Sequence, residues 1–227
     1  MKTQALDYLL SAALIGVLCL LDYLLVGWGL RPITERVFGA YHILVDGLLL
    51  LLGYGLLAVL CARLMLRLRP FTPATYSMED TMFTWWKLYT VNYEFGRGAL
   101  LPYTTVFARP LVAVLFGARI GRDIALGGRL VDPELITIGE EAIIGQDSVI
   151  TAHAIISGAL ILRPVNIAAR ATIGVNAVIM PGVDVGEGSI VTAGAVVTMD
   201  TKIPPGELWG GIPARKIKDV DAGTVRG

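Results

Sequence analysis

Aliphatic residues return every six positions through the C-terminal half of this chain, at Ile138, Ile144, Ile150, Ile161, Ile167, Ile173, Ile179, Val185, Val191, Val197 and Ile203. Ile120 and Leu126 keep the phase upstream, and the irregular eleven-residue step from Ile150 to Ile161 predicts a slip or loop around Ser157 and Gly158. Small residues follow four positions later, as at Ala142, Ser148, Ala171 and Ala195, and glycine often follows directly, as in Ile144-Gly145 and Ile173-Gly174. A six-residue period fits neither a 3.6-residue helix nor a two-residue strand, so it belongs to a turning superstructure. Each repeat supplies one flat face, and three faces close a triangular coil. The aliphatic residue points inward and the small residues permit sharp corners. Stacked coils then bury one continuous core.

The N-terminal third obeys a different rule. Leu9 to Leu30 and Ile43 to Leu66 are two apolar runs, each long enough at helical rise to cross a hydrocarbon core. They account for a chain that is 55% apolar and 17% charged, with a mean hydropathy of +0.66. Residues 1–68 are therefore expected to form a transmembrane helical hairpin, joined by a tight connection from Arg31 to Tyr41 that contains Pro32 and Gly39. Lys2, Arg63, Arg67 and Arg69 at the open end outnumber Arg31 and Arg36 at the connection, which predicts an integral membrane protein with a cytosolic C-terminal domain. Asp22 and Asp46 lie inside the apolar runs; they read either as a polar path between helices or as snorkelling and interhelical hydrogen-bonding groups.

Between hairpin and repeat, residues 69–119 predict an amphipathic, interfacial helical connector, with Met82, Trp85, Trp86 and Tyr89 on one face and a capping start in Ser77 followed by Asp80. Asn92 and Glu94 are its candidate acceptor-binding groups. The repeat domain is placed at 120–207 and a C-terminal tail at 208–227.

The stretches GARIGRD, DPELITIGEEAIIGQDSVITAH, VNIAARATIGVNAVIMPGVDVGEGSIVTAGAVVT and PPGELWGGIPARKI resemble the hexapeptide-repeat acyltransferases. The order of TYS, WW and LFGARIG ahead of them is similar to the membrane-associated C-terminal regions of poly-lysine-synthetase-like enzymes. The resemblance implies an all-β left-handed parallel β-helix, a homotrimer, acetyl-CoA or another acyl-CoA as co-substrate, and a histidine general base.

His153, in ITAHAI, is the single histidine of the repeat region and stands where the resemblance puts that base. One eighteen-residue coil earlier lie Asp132 and Glu134, either of which could orient the ring, and the coil above is expected to bring Arg170 over it as an acceptor or phosphate contact. For the acyl-CoA, the resemblance implies contacts from Val175, Ala193, Gly194 and Thr198, with Lys202, Arg215 and Lys216 toward the phosphates; Met199 stands where a lysine is usual.

Nineteen basic and nineteen acidic side chains cancel, leaving no net field to gather nucleic acid. Two cysteines, both in apolar runs, and a lone repeat-region histidine assemble no metal site, which removes the three-histidine carbonic anhydrases built on the same repeat. The expected activity is transfer of an acyl group, acetyl by family precedent, from CoA to a hydroxyl or amine of a small, sugar or lipid-linked acceptor at the bilayer. The competing reading is a non-catalytic membrane-tethered β-helix scaffold.

Overall fold

In the computed structural model, which describes residues 5 to 220, the six-residue repeat winds into a β-solenoid of left-handed β-helix-like form. Three parallel sheets make its faces. The first face carries β2 (Arg119–Ile120), β5 (Ile136–Ile138), β10 (Val165–Ile167), β13 (Asp184–Val185) and β16 (Lys202–Ile203). The second carries β3 (Ala125–Leu126), β6 (Ile143–Ile144), β11 (Thr172–Ile173), β14 (Ile190–Val191) and β17 (Glu207–Gly211), with β18 (Ala214–Asp219) antiparallel at its edge. The third carries β4 (Arg129–Val131), β7 (Val149–Thr151), β12 (Val178–Ile179) and β15 (Val196–Val197).

Register sets like upon like. Ile138 stacks on Ile167, Val185 and Ile203; Ile144 on Ile173 and Val191; Leu130 on Ile150, Ile179 and Val197. All of these are buried, and full burial of such a side chain stabilises by roughly 1.5–3 kcal/mol. Backbone amides pair from coil to coil, as in Ile143 N–H to Ala171 O at 2.9 Å and Gly174 N–H to Val191 O at 2.8 Å. That close stacking explains the recurrent glycine: a Cβ built on Gly174 would lie 2.3 Å from the Ala193 amide nitrogen.

The eleven-residue step is larger than a slip. β8 (His153–Ile156) and β9 (Ala159–Leu162) leave the coil as an antiparallel hairpin and return where Arg163 N–H meets Ala152 O at 2.9 Å. Ser157 and Gly158, with φ of 49° and 80°, form a two-residue turn whose positive φ values suit a primed hairpin turn. Ile161 is therefore half-buried on β9, not an inward rung; Leu160 and Leu162 beside it are buried, and the ladder resumes at Ile167. β1 (Ala74–Ser77) adds to β9, so part of the expected connector belongs to the β unit.

The β unit comprises residues 71–78 and 106–220 of the described chain, and α5 (Arg109–Leu115) sends Ala113 into its core. The expected tail is ordered sheet as far as Asp219, because Trp209 continues the six-residue phase and pairs with Val191; residues 221–227 lie outside the described residues.

The helical unit comprises residues 5–70 and 79–105. α1 (Ala5–Tyr23), a π-helical stretch (Leu24–Leu30), α2 (Arg31–Phe38), a 3-10 turn (Gly39–Tyr41) and α3 (His42–Leu68) follow without a break, giving one helical run long and apolar enough to cross a membrane. The expected tight connection is itself helical: Pro32 sits in the first turn of α2, and Gly39 ends it at φ 53°. Lys2, used in the orientation argument, lies outside the described residues. α4 (Thr81–Leu100) is capped by Asp80, whose carboxylate accepts from Met82 N–H at 2.7 Å; Ser77 belongs to β1 instead.

Gly174→Ala should force two coils apart. We expect about 1–3 kcal/mol of destabilisation, read as a lower thermal unfolding midpoint. Gly98→Ala, whose Cβ would meet nothing within 4 Å, should not lower it.

Candidate active site

The corner between the third and first faces is the one the sequence leaves irregular. In the first coil the inward rung is Leu130, and Asp132 turns out of the strand in the left-handed region at φ 62° before a 3-10 turn, Pro133–Leu135. One coil on, Ala152 N–H bonds Val131 O at 3.2 Å, which brings the next residue, His153, level with Asp132. His153 Nδ1 and Asp132 Oδ2 are 2.5 Å apart. The Asp132 side chain is 1% exposed and the His153 side chain 22%. A buried carboxylate thus grips one ring nitrogen of a histidine that keeps a solvent opening. The backbone of His153 is pinned as well, its carbonyl accepting from the Thr151 hydroxyl at 3.0 Å. Glu134 is half-buried on the adjoining 3-10 turn.

Arg170 is not above His153. Counting with a one-residue slip places it there, but the hairpin inserts eleven residues, so the coil above this corner is Met180 to Val183. Arg170 occupies the corner between the first and second faces, where its amide bonds Glu140 O at 2.9 Å and its guanidinium pairs with Glu187, both side chains half exposed.

Of the residues expected to meet the acyl-CoA, three gather on the corner between the second and third faces. Gly194 N–H bonds Val175 O at 2.9 Å, and Ala193 adjoins it, all three exposed. Thr198 lies on the His153 corner, two coils further on. Lys202 is committed to Asp184 Oδ2 at 2.5 Å and Gly182 O at 2.9 Å. Lys216 pairs with Glu207 at 2.7 Å and Asp219 at 2.6 Å, while Arg215 is exposed on β18. Hydrogen bonds donated to Asp219 and Glu207 raise the Lys216 pKa, and the one Glu207 accepts from Lys216, ahead of that from the Trp209 indole, lowers the Glu207 pKa. Asn92 and Glu94 belong to α4 of the helical unit. Asn92 is buried and donates to Ala58 O at 2.8 Å, and Glu94 pairs with Arg97 at 3.1 Å.

The structure adds a recess that sequence reasoning missed. About 510 Å³ in volume, it is lined by β1 at Ala74 and Thr75 and by Arg163, Asp184, Asp200 and Lys202. An Arg163–Asp200 pair at 2.5 Å crosses the corner. No local signal could have revealed it, because one wall is a four-residue strand far upstream in the chain. Burial would push the Asp184 pKa up, but hydrogen bonds from Lys202 and Asn166 together with the Lys202 charge outweigh it and hold it below the ordinary carboxylate value.

Several solved structures are similar to this chain. A hexapeptide-repeat acetyltransferase from Vibrio cholerae, complexed with acetyl coenzyme A, is 30% identical over 46% of this chain, with a TM-score of 0.43; the chain spans 61% of that protein. A galactoside acetyltransferase in complex with coenzyme A is 21% identical over 66% of this chain and 88% of its own, at a TM-score of 0.49. A maltose O-acetyltransferase from Clostridium difficile is 20% identical over 70% and 97%, at 0.48. No protein-family model matches the chain, nor does any curated protein. At these TM-scores the likeness places no side chain, and the chemistry has to follow from the residues around His153.

Two outcomes follow from this geometry. A depressed carboxylate contributes stability above its unfolded value and loses it as pH falls through the folded one, so Lys202→Met should move the acid-unfolding midpoint of the β unit to higher pH. Arg170→Ala, removing an exposed pair, should shift stability by less than about 1 kcal/mol in thermal unfolding.

Proposed function

We propose that this protein is a membrane-bound acyltransferase that moves an acyl group, acetyl in this reading, from CoA to a hydroxyl or amine. The observation that carries the proposal is the 2.5 Å contact between His153 Nδ1 and the buried Asp132 carboxylate. An aspartate accepting from Nδ1–H fixes the tautomer with its lone pair on Nε2, which is the form a general base needs. Acyl transfer demands such a base near neutrality beside the acceptor. The hexapeptide resemblance supplies the donor class. It also supplies the homotrimer, and its expected pantetheine contacts at Val175, Ala193 and Gly194 stack on one exposed corner.

In this mechanism His153 Nε2 takes the proton of the acceptor O–H or N–H as its lone pair attacks the thioester carbonyl carbon. The carbonyl becomes a tetrahedral oxyanion, then re-forms as the C–S bond breaks. The protonated imidazole returns the proton to sulfur and CoA leaves as the thiol. Asp132 stabilises the imidazolium between those two transfers, with Glu134 on the same turn as a second, weaker candidate for that task. Of the three basic candidates for the nucleotide phosphates, Lys202 and Lys216 are held in ion pairs and Arg215 is exposed on β18. The apolar helical run provides the membrane attachment, and the arginines at the end of α3 favour a cytosolic β unit. That setting suits a sugar or lipid-linked acceptor presented at the bilayer surface.

His153→Ala should lower kcat about 10²- to 10⁴-fold while leaving CoA binding unchanged. Asp132→Asn should cost at least about tenfold through the same step. Labelled acetyl-CoA incubated with protein and membrane extract, followed by mass spectrometry of the products, checks both. A folded protein that neither binds CoA nor labels any product would leave the scaffold reading standing.

A further inference from the structure

We infer that the helical unit lies in the plane of the membrane, inserted into one leaflet, and does not cross the bilayer as a two-span hairpin. The inference rests on the membrane reading above and is independent of acyl transfer.

The argument starts from α4. Its N-terminus follows β1 after three residues, at most about 14 Å of extended chain, and the 3-10 turn Leu101–Tyr103 that continues it precedes Val106 of the β unit by two residues. β1 is hydrogen-bonded to β9, so both ends of α4 are leashed to the same β unit. Open-edged sheet cannot enter hydrocarbon, because its unpaired amides and carbonyls would have no partners there. Both ends of α4 are therefore held on one side of the bilayer. Its 20 residues, about 30 Å long, cannot traverse a core of that thickness and return through two-residue and three-residue links.

α3 shares that depth. Trp85 Nε1 donates to Arg69 O at 3.1 Å, Asn92 Nδ2 to Ala58 O at 2.8 Å, and the Tyr103 hydroxyl to Leu48 O. Those contacts run α3 antiparallel along α4 from Arg69 back to Leu48. α1 lies along the same bundle, with Asp7 paired to Lys87 near one end and Asp22 packed against Gly53 toward the other. If α3 stood upright, Asp22 would sit near mid-bilayer, where a carboxylate costs roughly 2.5–3.5 kcal/mol. Lying flat, the bundle keeps Asp22, Asp46 and the Asp7–Lys87 pair at similar, shallower depth.

Burial agrees with this placement. α4 hides Phe83, Trp86, Tyr89 and Tyr93, whereas α1 and α3 expose leucines along their length, among them Leu48, Leu56 and Leu64 at 51%, 52% and 54%. A bundle with one covered helix and two that expose leucines suits contact with lipid, the acyl chains being the occupant of that apolar surface.

The test uses the full chain with Cys19 and Cys61 changed to Ala, in vesicles of phosphatidylethanolamine and phosphatidylglycerol. A fluorophore is attached through Leu48→Cys, Leu56→Cys or Leu64→Cys, and its depth is read by quenchers placed at graded positions on the lipids. In-plane insertion keeps all three probes in one leaflet, their depths differing by no more than the roughly 10 Å width of a helix. A spanning α3 separates Leu48 from Leu64 by about 24 Å along the normal, with Leu56 deepest, and that result would overturn the inference. In the double variant Ala40→Cys/Glu140→Cys, a membrane-impermeant maleimide should add twice to each accessible molecule; a single addition per molecule puts the two residues on opposite sides and also overturns it. Absence of lipid quenching at all three positions would sink the membrane reading itself, without touching the acyl-transfer proposal.

Discussion

Everything in the β unit depends on the coil-to-coil ladder, in which inward aliphatic side chains and backbone hydrogen bonds along the solenoid axis share one register. Ile138, Ile167, Val185 and Ile203 hold one edge of the prism in register, and amides such as Gly174 N–H are satisfied by the next coil. Neither contribution stands alone. Without the apolar ladder the sheets have no core, and without the backbone pairs the coils bury unpartnered amides.

The His153–Asp132 pair is a product of that register. Two residues about one coil apart in sequence become neighbours because Ala152 pairs with Val131, and the corner opens there because a hairpin is extruded from it. Asp132 adopts a left-handed backbone conformation that ends its strand early, which puts Leu130 on the ladder and frees the carboxylate to face the histidine. The same extrusion moves Arg170 to a different corner. The register thus sets His153 beside Asp132, and the insertion that follows defeats simple counting beyond it.

In the helical unit, polar groups pair at both ends of the bundle and once along its length. Thr34 donates to Asp46 at 2.6 Å and His42 lies 2.9 Å from the same carboxylate. Asp7 meets Lys87, and Asn92 reaches the Ala58 carbonyl. Apolar composition makes the helical run long and apolar enough to cross a membrane; it does not say at what angle such helices lie.

Sequence alone determined the solenoid, its three-faced coil and the inward ladder, because a six-residue period admits one kind of superstructure; His153 stood out in it as the single histidine of the repeat region. Asp132 was legible as one of two carboxylates a coil away. The tertiary structure chose between them, because a left-handed turn at residue 132 is a property of the corner and not of the aspartate. It also decided the length of the extruded hairpin, since Ile161 satisfies the six-residue phase in sequence yet sits half-buried on a two-stranded arm. β1 was invisible for a similar reason: four residues carry no period, and their partner strand lies far along the chain.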